Sequence, residues 1–345
     1  MNLSFIKSIK KMIFKEDIII DIGSNQVSFS ELDSSEKFKE QALIAVEYHD
    51  THKSIVAIGN DAKNLVGKES ENIKVVRPIR EGKIEDRLMA ENLVRQVIEK
   101  HRGQNMLKLP PRIFMVVPTN ISDVDIEQRE SVVSALGARE VQSVDNLLAS
   151  AIGMGGDIGN EKGVMVLDIG GENIQCGIVK LNKIITSKSF DFGINEIDND
   201  IIKKIREKYN IAIGLLTAEQ LKIKIGMSPN EEIVKICGKD VLKNIPVEVG
   251  VSTLDVYNPS MTFFDKIIVI IKEVFEDMPE EISSDIKERG IMICGGGSQL
   301  KFLGDNLKNQ LDLTVEIAKD EFVSLDGAKI IWENINNETI INYEE

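Results

Sequence analysis

The chain has 345 residues, 42% hydrophobic and 28% charged, the balance of a folded globular protein and not of a disordered, collagen-like or disulfide-stapled one. Lys and Arg number 42 against 56 Asp and Glu, a formal net charge of −14, which repels phosphate backbones and argues against nucleic acid as a partner. This length suggests two domains or one large bilobal unit. The three cysteines, Cys176, Cys237 and Cys294, are far apart and form no CxxC pair, so neither a disulfide framework nor a zinc site is expected.

The first fifteen residues, MNLSFIKSIKKMIFK, are basic and carry no acidic residue. On a helix of about 100° per residue, Phe5, Ile6, Ile9, Met12 and Ile13 share one face and Lys7, Lys11 and Lys15 the other. Such a helix can lie in the lipid headgroup layer with its lysines near anionic lipid, or pack on its own domain. Little linker separates it from the apolar run IIIDI at 18–22, which favours the membrane. The run itself reads as a buried strand, followed by Gly-Ser-Asn-Gln and a second strand. Further strands are expected at 55–58 and 113–117, and helices at 85–100 and 123–136. Between them, Met106 and Leu107 stand in a loop bounded by Gly103 and Pro110 and flanked by basic residues. Exposed apolar loop residues need a partner, unless they anchor the loop to the core. A second strand–turn–strand, VMVLDIGGENIQCGIV, begins at Val164. Helical patterns follow at 196–208, 217–225 and 261–276. A last buried strand, IMIC at 291–294, runs into Gly295-Gly296-Gly297-Ser298. Strands alternate with helices throughout, the signature of an α/β protein. No run approaches the roughly 18 apolar residues of a membrane span and no signal-peptide pattern opens the sequence, so a cytoplasmic location is expected.

IIIDIGSNQ and VMVLDIGGENI repeat one design: an apolar strand ending in Asp-Ile-Gly, a small or polar turn, and another strand. The repeat predicts a duplicated fold with a cleft between its halves. A glycine-containing turn aims several backbone N–H groups into one concavity, which suits phosphate. An Asp at its mouth suits Mg²⁺, which prefers hard oxygens beside substrate phosphates. One such turn alone is more often merely structural; two in matched contexts, with GGGS allowing close backbone approach, are more specific. There is no GxxxxGK[ST] of a P-loop. The glycines at 153–159 have the wrong spacing for a dinucleotide loop and precede a strand. His49 and His52 lack a ligand cluster.

These segments together resemble the MreB family of bacterial actins over nearly the whole chain. IDIGSNQ matches that family's first phosphate loop. AIGNDAKNLVGKESENIKVVRPIREGKIED, LGAREV, LDIGG, GINEIDNDII, KYNIAIG, TAEQLKIKIG and RGIMICGGGSQLKFL are similarly placed. The resemblance implies an actin-like bilobal fold around an ATP cleft, built of two sheet-core lobes with smaller subdomains. Lobe I would comprise 16–36, 86–160 and 322–345 with a small subdomain at 37–85. Lobe II would comprise 161–192 and 247–321 with a small subdomain at 193–246. It also implies filaments, usually paired and held on the inner face of the membrane by residues 1–15 and the Met106-Leu107 loop. By position, Asp21 and Asp168 fall on the Mg²⁺-associated aspartates. Gly23, Ser24, Asn25 and Gln26 fall on the first phosphate loop, and Gly170, Gly171 and Glu172 on the second. Glu219, Gln220 and Lys222 fall on a helix that contacts ribose and adenine, where a one-turn spacing puts Glu219 and Lys222 on one face; the plain alternative is a surface ion pair of small consequence. Gly295, Gly296, Gly297 and Ser298 fall on the adenosine motif.

Two departures bear on hydrolysis. The family's catalytic Glu aligns with Asn146, and an amide orients water without acting as a base; the neighbouring Asp145 would point differently. In the second phosphate loop Glu172 replaces a glycine and Asn173 the threonine that helps place the water. Slow or absent ATP hydrolysis with ATP/ADP binding retained but weakened is the expectation, in a filament protein acting in cell shape, or in helicity or motility in a wall-less cell. A pseudo-ATPase copolymerising with an active paralogue is the alternative. A small-molecule kinase needs an insertion and an Asp base not found here, and a chaperone needs a substrate domain for which there is no room.

Overall fold

The computed structural model describes residues 17–49, 52–102, 110–156 and 162–341. The proposed amphipathic helix 1–15, with Phe5, Ile6, Ile9, Met12 and Ile13, and the loop residues Met106 and Leu107 lie outside the described residues.

The first strands are β1 (Ile18–Ile22), β2 (Gln26–Glu31), β3 (Lys37–Gln41), β4 (Ile44–Tyr48) and β5 (Lys53–Ile58), followed by the short helix α1 (Gly59–Lys63) and β6 (Ile73–Val76). Two short strands, β7 (Ile79–Arg80) and β8 (Lys83–Ile84), lead into α2 (Arg87–Arg102) and β9 (Arg112–Val117). Then come α3 (Asp123–Ser134), β10 (Glu140–Asp145) and α4 (Asn146–Gly153). The second half begins with β11 (Val164–Ile169), β12 (Ile174–Lys180), β13 (Lys183–Phe190), α5 (Asn195–Tyr209), β14 (Ile211–Ala212) and α6 (Leu215–Ile225). It continues through β15 (Ile233–Asp240), β16 (Pro246–Ser252), α7 (Leu254–Glu276), α8 (Ser283–Arg289), β17 (Ile291–Cys294), α9 (Leu303–Leu311) and β18 (Val315–Ile317), and the chain ends in α10 (Val323–Ile341). Within the described residues the expected strands and helices are present. α7 begins upstream of the predicted 261 and runs through Pro259, where the missing N–H removes one interior hydrogen bond of the helix.

Backbone contacts divide the chain into two units. One ends at Leu65, resumes over Glu69–Gly159 and takes in the chain from Asp320 onward; the other is Asn160–Lys319 with the short piece Val66–Lys68. The first is built on a five-stranded sheet of order β10-β9-β1-β2-β3, the second on one of order β13-β12-β11-β17-β18. In the first, β1 runs antiparallel to β2 and parallel to β9; in the second, β11 runs antiparallel to β12 and parallel to β17. The register matches as well: Asp21 lies opposite Val116 of β9, and Asp168 opposite Cys294 of β17. The repeat read from the sequence is therefore a repeat of topology.

The apolar run of β1 is unbroken because both faces of its sheet are covered. Ile18, Ile20 and Ile22 join Leu93, Val94 and Val97 of α2 and Val132 of α3 in one cluster, whereas Ile19 joins Phe114, Ala149 of α4 and Leu325, Ala328 and Trp332 of α10 in another. A period of two puts Asp21 on the Ile19 face, toward α10. In the second unit Met165, Leu167 and Ile169 pack with Ile197 and Ile201 of α5 and Phe263 and Ile267 of α7. Asp168 is on the opposite parity.

Just before β1, the buried Asp17 accepts from Arg112 Nε at 3.0 Å and Nη2 at 2.5 Å. The Arg112 guanidinium lies 4.6 Å from the centre of the Trp332 ring. Helices α4 and α10 cross at a glycine notch: a Cβ on Gly327 would sit 1.7 Å from the Ala149 carbonyl oxygen, and one on Gly153 would sit 1.9 Å from that of Val323. Gly327→Ala must force these helices apart, at about 1–3 kcal/mol of overpacking strain. Calorimetry is expected to show a fall of several degrees in Tm, whereas Gly137→Ala, which meets nothing within 4 Å, loses only the backbone ease of its positive φ.

Candidate functional site

Both repeated strands end in a turn closed by the same hydrogen bond. Gly23 N–H donates to the Gln26 carbonyl at 2.9 Å, and Gly170 N–H to that of Asn173 at 2.9 Å. A Cβ would stand 3.1 Å from that acceptor at Gly23, a tight contact, and 2.7 Å from it at Gly170, where something would have to shift. Both turns sit where parallel strands end, the edge at which open α/β sheets take ligands.

The first turn is held by two arginines the sequence reading did not single out. The buried Arg129 of α3 donates from Nη1 to the Ile22 carbonyl at 2.7 Å and from Nη2 to the Gly82 carbonyl. Arg77 Nη1 donates to the Ser24 carbonyl and to Asn25 Oδ1, each at 2.9 Å. Ser24 Oγ accepts from Gly82 N–H at 2.9 Å, and the Asn25 carbonyl accepts from Ala42 N–H at 2.8 Å. Behind the turn, Asp21 accepts from the Ser324 hydroxyl of α10 at 3.2 Å. Burial raises the Asp21 carboxyl above the ordinary carboxylate range, against the pull of Arg129 and the Ser324 hydroxyl. Burial also draws the Arg129 guanidinium down to about 10, against Asp21 and Asp125. A charge held this far from water is stable only with an opposite charge at hand.

At the end of β10, Asp145 caps α4. Its Oδ1 accepts from Leu147 N–H at 2.8 Å, Leu148 N–H at 3.3 Å and the Thr119 hydroxyl at 2.7 Å, and burial raises its pKa against those three bonds. Asn146 follows as the first residue of α4, its Oδ1 accepting from the Ser150 hydroxyl at 3.3 Å.

The second turn leans on the start of α5. Ile194 and Asn195 N–H groups donate to the Gly170 and Gly171 carbonyls, each at 3.0 Å. Glu172 is half-buried, and Asn173 Nδ2 donates to Ser189 Oγ on β13 at 3.1 Å. The glycine run after β17 packs on the same strand end. Gly295 has φ +78°, and a Cβ there would meet Asp168 Oδ1 at 2.3 Å; at Gly297 it would meet Ile169 Cγ2 at 2.4 Å; at Gly296 it would meet nothing within 4 Å. Two of the three glycines thus serve packing, and Ser298 is buried in the short 3₁₀ turn Gly296–Gln299. On α6, Glu219 is half-buried and Gln220 exposed. Lys222 pairs with Asp198 of α5, at 2.7 Å.

The first unit therefore gathers Asp21, Gly23–Gln26, Asp145 and Asn146 at one sheet edge, and the second gathers Asp168, Gly170–Asn173 and Gly295–Ser298. Arg77, Arg129, Ser324 and Asp198 are additions from the structure. Arg129 and Asp198 carry a sequence signal, since helical spacing sets Arg129 with Val132 and Val133, and Asp198 with Ile194, Ile197, Ile201 and Ile205, on faces that are buried. Among the described residues no three His, Cys, Asp or Glu side chains gather into a metal cage. No described helix is long and apolar enough to cross a membrane.

A family model described as MreB/Mbl protein matches residues 15–340. The cell shape-determining protein MreB of Escherichia coli K12 is 28% identical over 313 residues, covering 89% of this chain and 90% of that one. Among solved structures, MreB5 of Spiroplasma citri bound to AMPPNP superposes with a TM-score of 0.86 at 28% identity, over 95% of this chain and 98% of its own, and its ADP-bound form matches equally well. MamK, as a double helical filament, shares the fold at a TM-score of 0.75 and 15% identity, over 92% and 99%.

Arg129→Met keeps most of the side-chain volume and strips the donors from the Ile22 and Gly82 carbonyls. Leaving a buried acceptor unsatisfied costs about 1–3 kcal/mol, so a clear loss of stability is expected in chemical denaturation. An unchanged midpoint would remove Arg129 from the support of the turn.

Proposed function

The chain belongs to the MreB/Mbl family, and from that premise we propose that it is an ATP-binding, filament-forming cytoskeletal protein of the inner membrane face. It acts in cell shape, or in helicity or motility where a wall is lacking. The observation that carries this reading is the pair of matched glycine turns, each with a carboxylate at the same register position of its sheet. The AMPPNP- and ADP-bound forms of MreB5 and the MamK filament support nucleotide binding and self-assembly.

The residues present fit a magnesium nucleotide. Asp21 and Asp168, each half-buried near the end of its strand, are hard-oxygen donors; Mg²⁺ takes one or two carboxylates, waters and substrate phosphates. When bound, Mg²⁺ neutralises phosphate charge. The turns at Gly23–Gln26 and Gly170–Glu172 offer backbone N–H groups to phosphate. Ser24 Oγ accepts from Gly82 and keeps a hydroxyl proton that a phosphate oxygen can take up. Glu219, Gln220 and the Gly295–Ser298 segment take the nucleoside.

Hydrolysis is slow in this reading because no base stands at the family's Glu position. Asn146 supplies an amide, and Asp145 is spent on capping α4 and on Thr119. Asn173, at the family's Thr position, gives its amide to Ser189. These same features favour the second reading, a weak or inactive ATPase copolymerising with an active paralogue. Residues 1–15 and the Met106-Leu107 loop serve as the contacts to anionic lipid.

Sedimentation of purified protein with ATP, with ADP and without nucleotide tests the reading: nucleotide-dependent filaments support it, and assembly indifferent to nucleotide opposes it. Filaments that form only with a paralogue point to the second reading. Asn146→Glu is expected to raise phosphate release about a hundredfold, the lower end of the usual range for a positioned base; no rise shows that the missing base is not the limit. Deleting residues 1–15 is expected to abolish flotation with phosphatidylglycerol vesicles.

A further inference from the structure

Lys222 is among the least exposed charged residues of the second unit, its side chain 8% and that of its partner Asp198 5% accessible. Family resemblance gives this lysine to the nucleoside. Its ammonium instead points to the start of α5, donating to Asp198 Oδ2 at 2.7 Å and to the Ile194 carbonyl at 3.3 Å. Ile194 is also one of the two residues that hold the second turn, because its N–H donates to the Gly170 carbonyl. One peptide segment therefore faces the turn with its N–H and Lys222 with its carbonyl. The fit is close: a Cβ on Gly193 would stand 2.5 Å from the Gly171 carbonyl carbon and oxygen and 2.6 Å from the Gly170 oxygen. Residues 193–195 lie flush against the turn, so a shift in one moves the other.

We propose that Lys222 is a positioning residue for the Gly170–Asn173 turn, acting through Asp198 and the Ile194 carbonyl. A buried ion pair adds little net stability over well-packed apolar residues, but it tolerates few geometries. Here it fixes the start of α5 one helical turn from the peptides that meet Gly170 and Gly171. The turn's carbonyls are thereby drawn back onto α5, which sets the direction its own amides take. The brace rests on the nucleotide reading only for the purpose it serves; the geometry it fixes is present without ligand.

Lys222→Met, and Lys222→Met with Asp198→Leu to keep the core apolar should the single variant fail to fold, separate the roles. In nucleotide-free protein, amide hydrogen exchange at Ile194 and Asn195 is expected to quicken about tenfold, the worth of roughly one hydrogen bond, while the Ala318 amide, bonded to the Ile293 carbonyl, keeps its protection. In calorimetric titration, ATP and ADP are expected to bind about tenfold more weakly and adenosine unchanged. Unchanged protection at Ile194 and Asn195, or equal losses for adenosine and ATP, overturns the brace. A wild-type protein that takes up neither ATP nor ADP overturns the nucleotide reading instead, and the exchange measurement still decides the brace.

Discussion

A carboxylate that ends a strand buried on both faces has to be answered by charge or by protons, and much of the first unit can be read as that answer. Asp21 shares a face with Ile19, so it points toward the layer between the sheet and α10, where it is half-buried. Ser324 reaches it from α10, and Arg129 supplies positive charge from α3. Because Arg129 also donates to the Ile22 and Gly82 carbonyls, the group that balances the carboxylate also fixes the shape of the turn beyond it. Electrostatics and backbone geometry are satisfied by one side chain.

The second unit repeats the sheet and the turn but supports them by other means. There the N–H groups at the start of α5 take the turn's carbonyls, and the buried charge is an ion pair one helical turn further on. The duplicated strands kept their register while the parts behind them diverged. Sheet topology tolerates little change, because a slip of one residue exchanges the two faces. A helix start or an arginine can replace one another wherever a carbonyl needs a donor.

The sequence announces what depends on periodicity and on close approach. The runs IIIDI and VMVLDI, the glycine at the head of each turn and the helical runs from 85 onward are local patterns, and the described residues have them where they were expected. Supports contributed from a distance were harder to see. Nothing in RPIREG shows that Arg77 bends back to Ser24 and Asn25, and nothing near Val323 shows that Ser324 meets Asp21, because both contacts join segments remote in the chain. Arg129 and Asp198 stood on apolar helix faces, where a charge is costly, and could have been found by asking what each was there to meet. Asp145 is a further case: the pattern set a carboxylate beside the family's Glu position, and only the structure shows that carboxylate committed to the N-terminus of α4.

The ion pair at the lower end of β1 carries a mechanical consequence. Asp17 is clamped by the Arg112 side chain and by the Arg112 backbone N–H at 3.2 Å, and that guanidinium is stacked on Trp332 of the last helix. Tension entering through the residues before Asp17 thus meets a bidentate anchor tied to β9 and α10 before it can reach the ladder of β1. The strand whose far end carries Asp21 is thereby shielded from load applied at Asp17, which passes to β9 and α10.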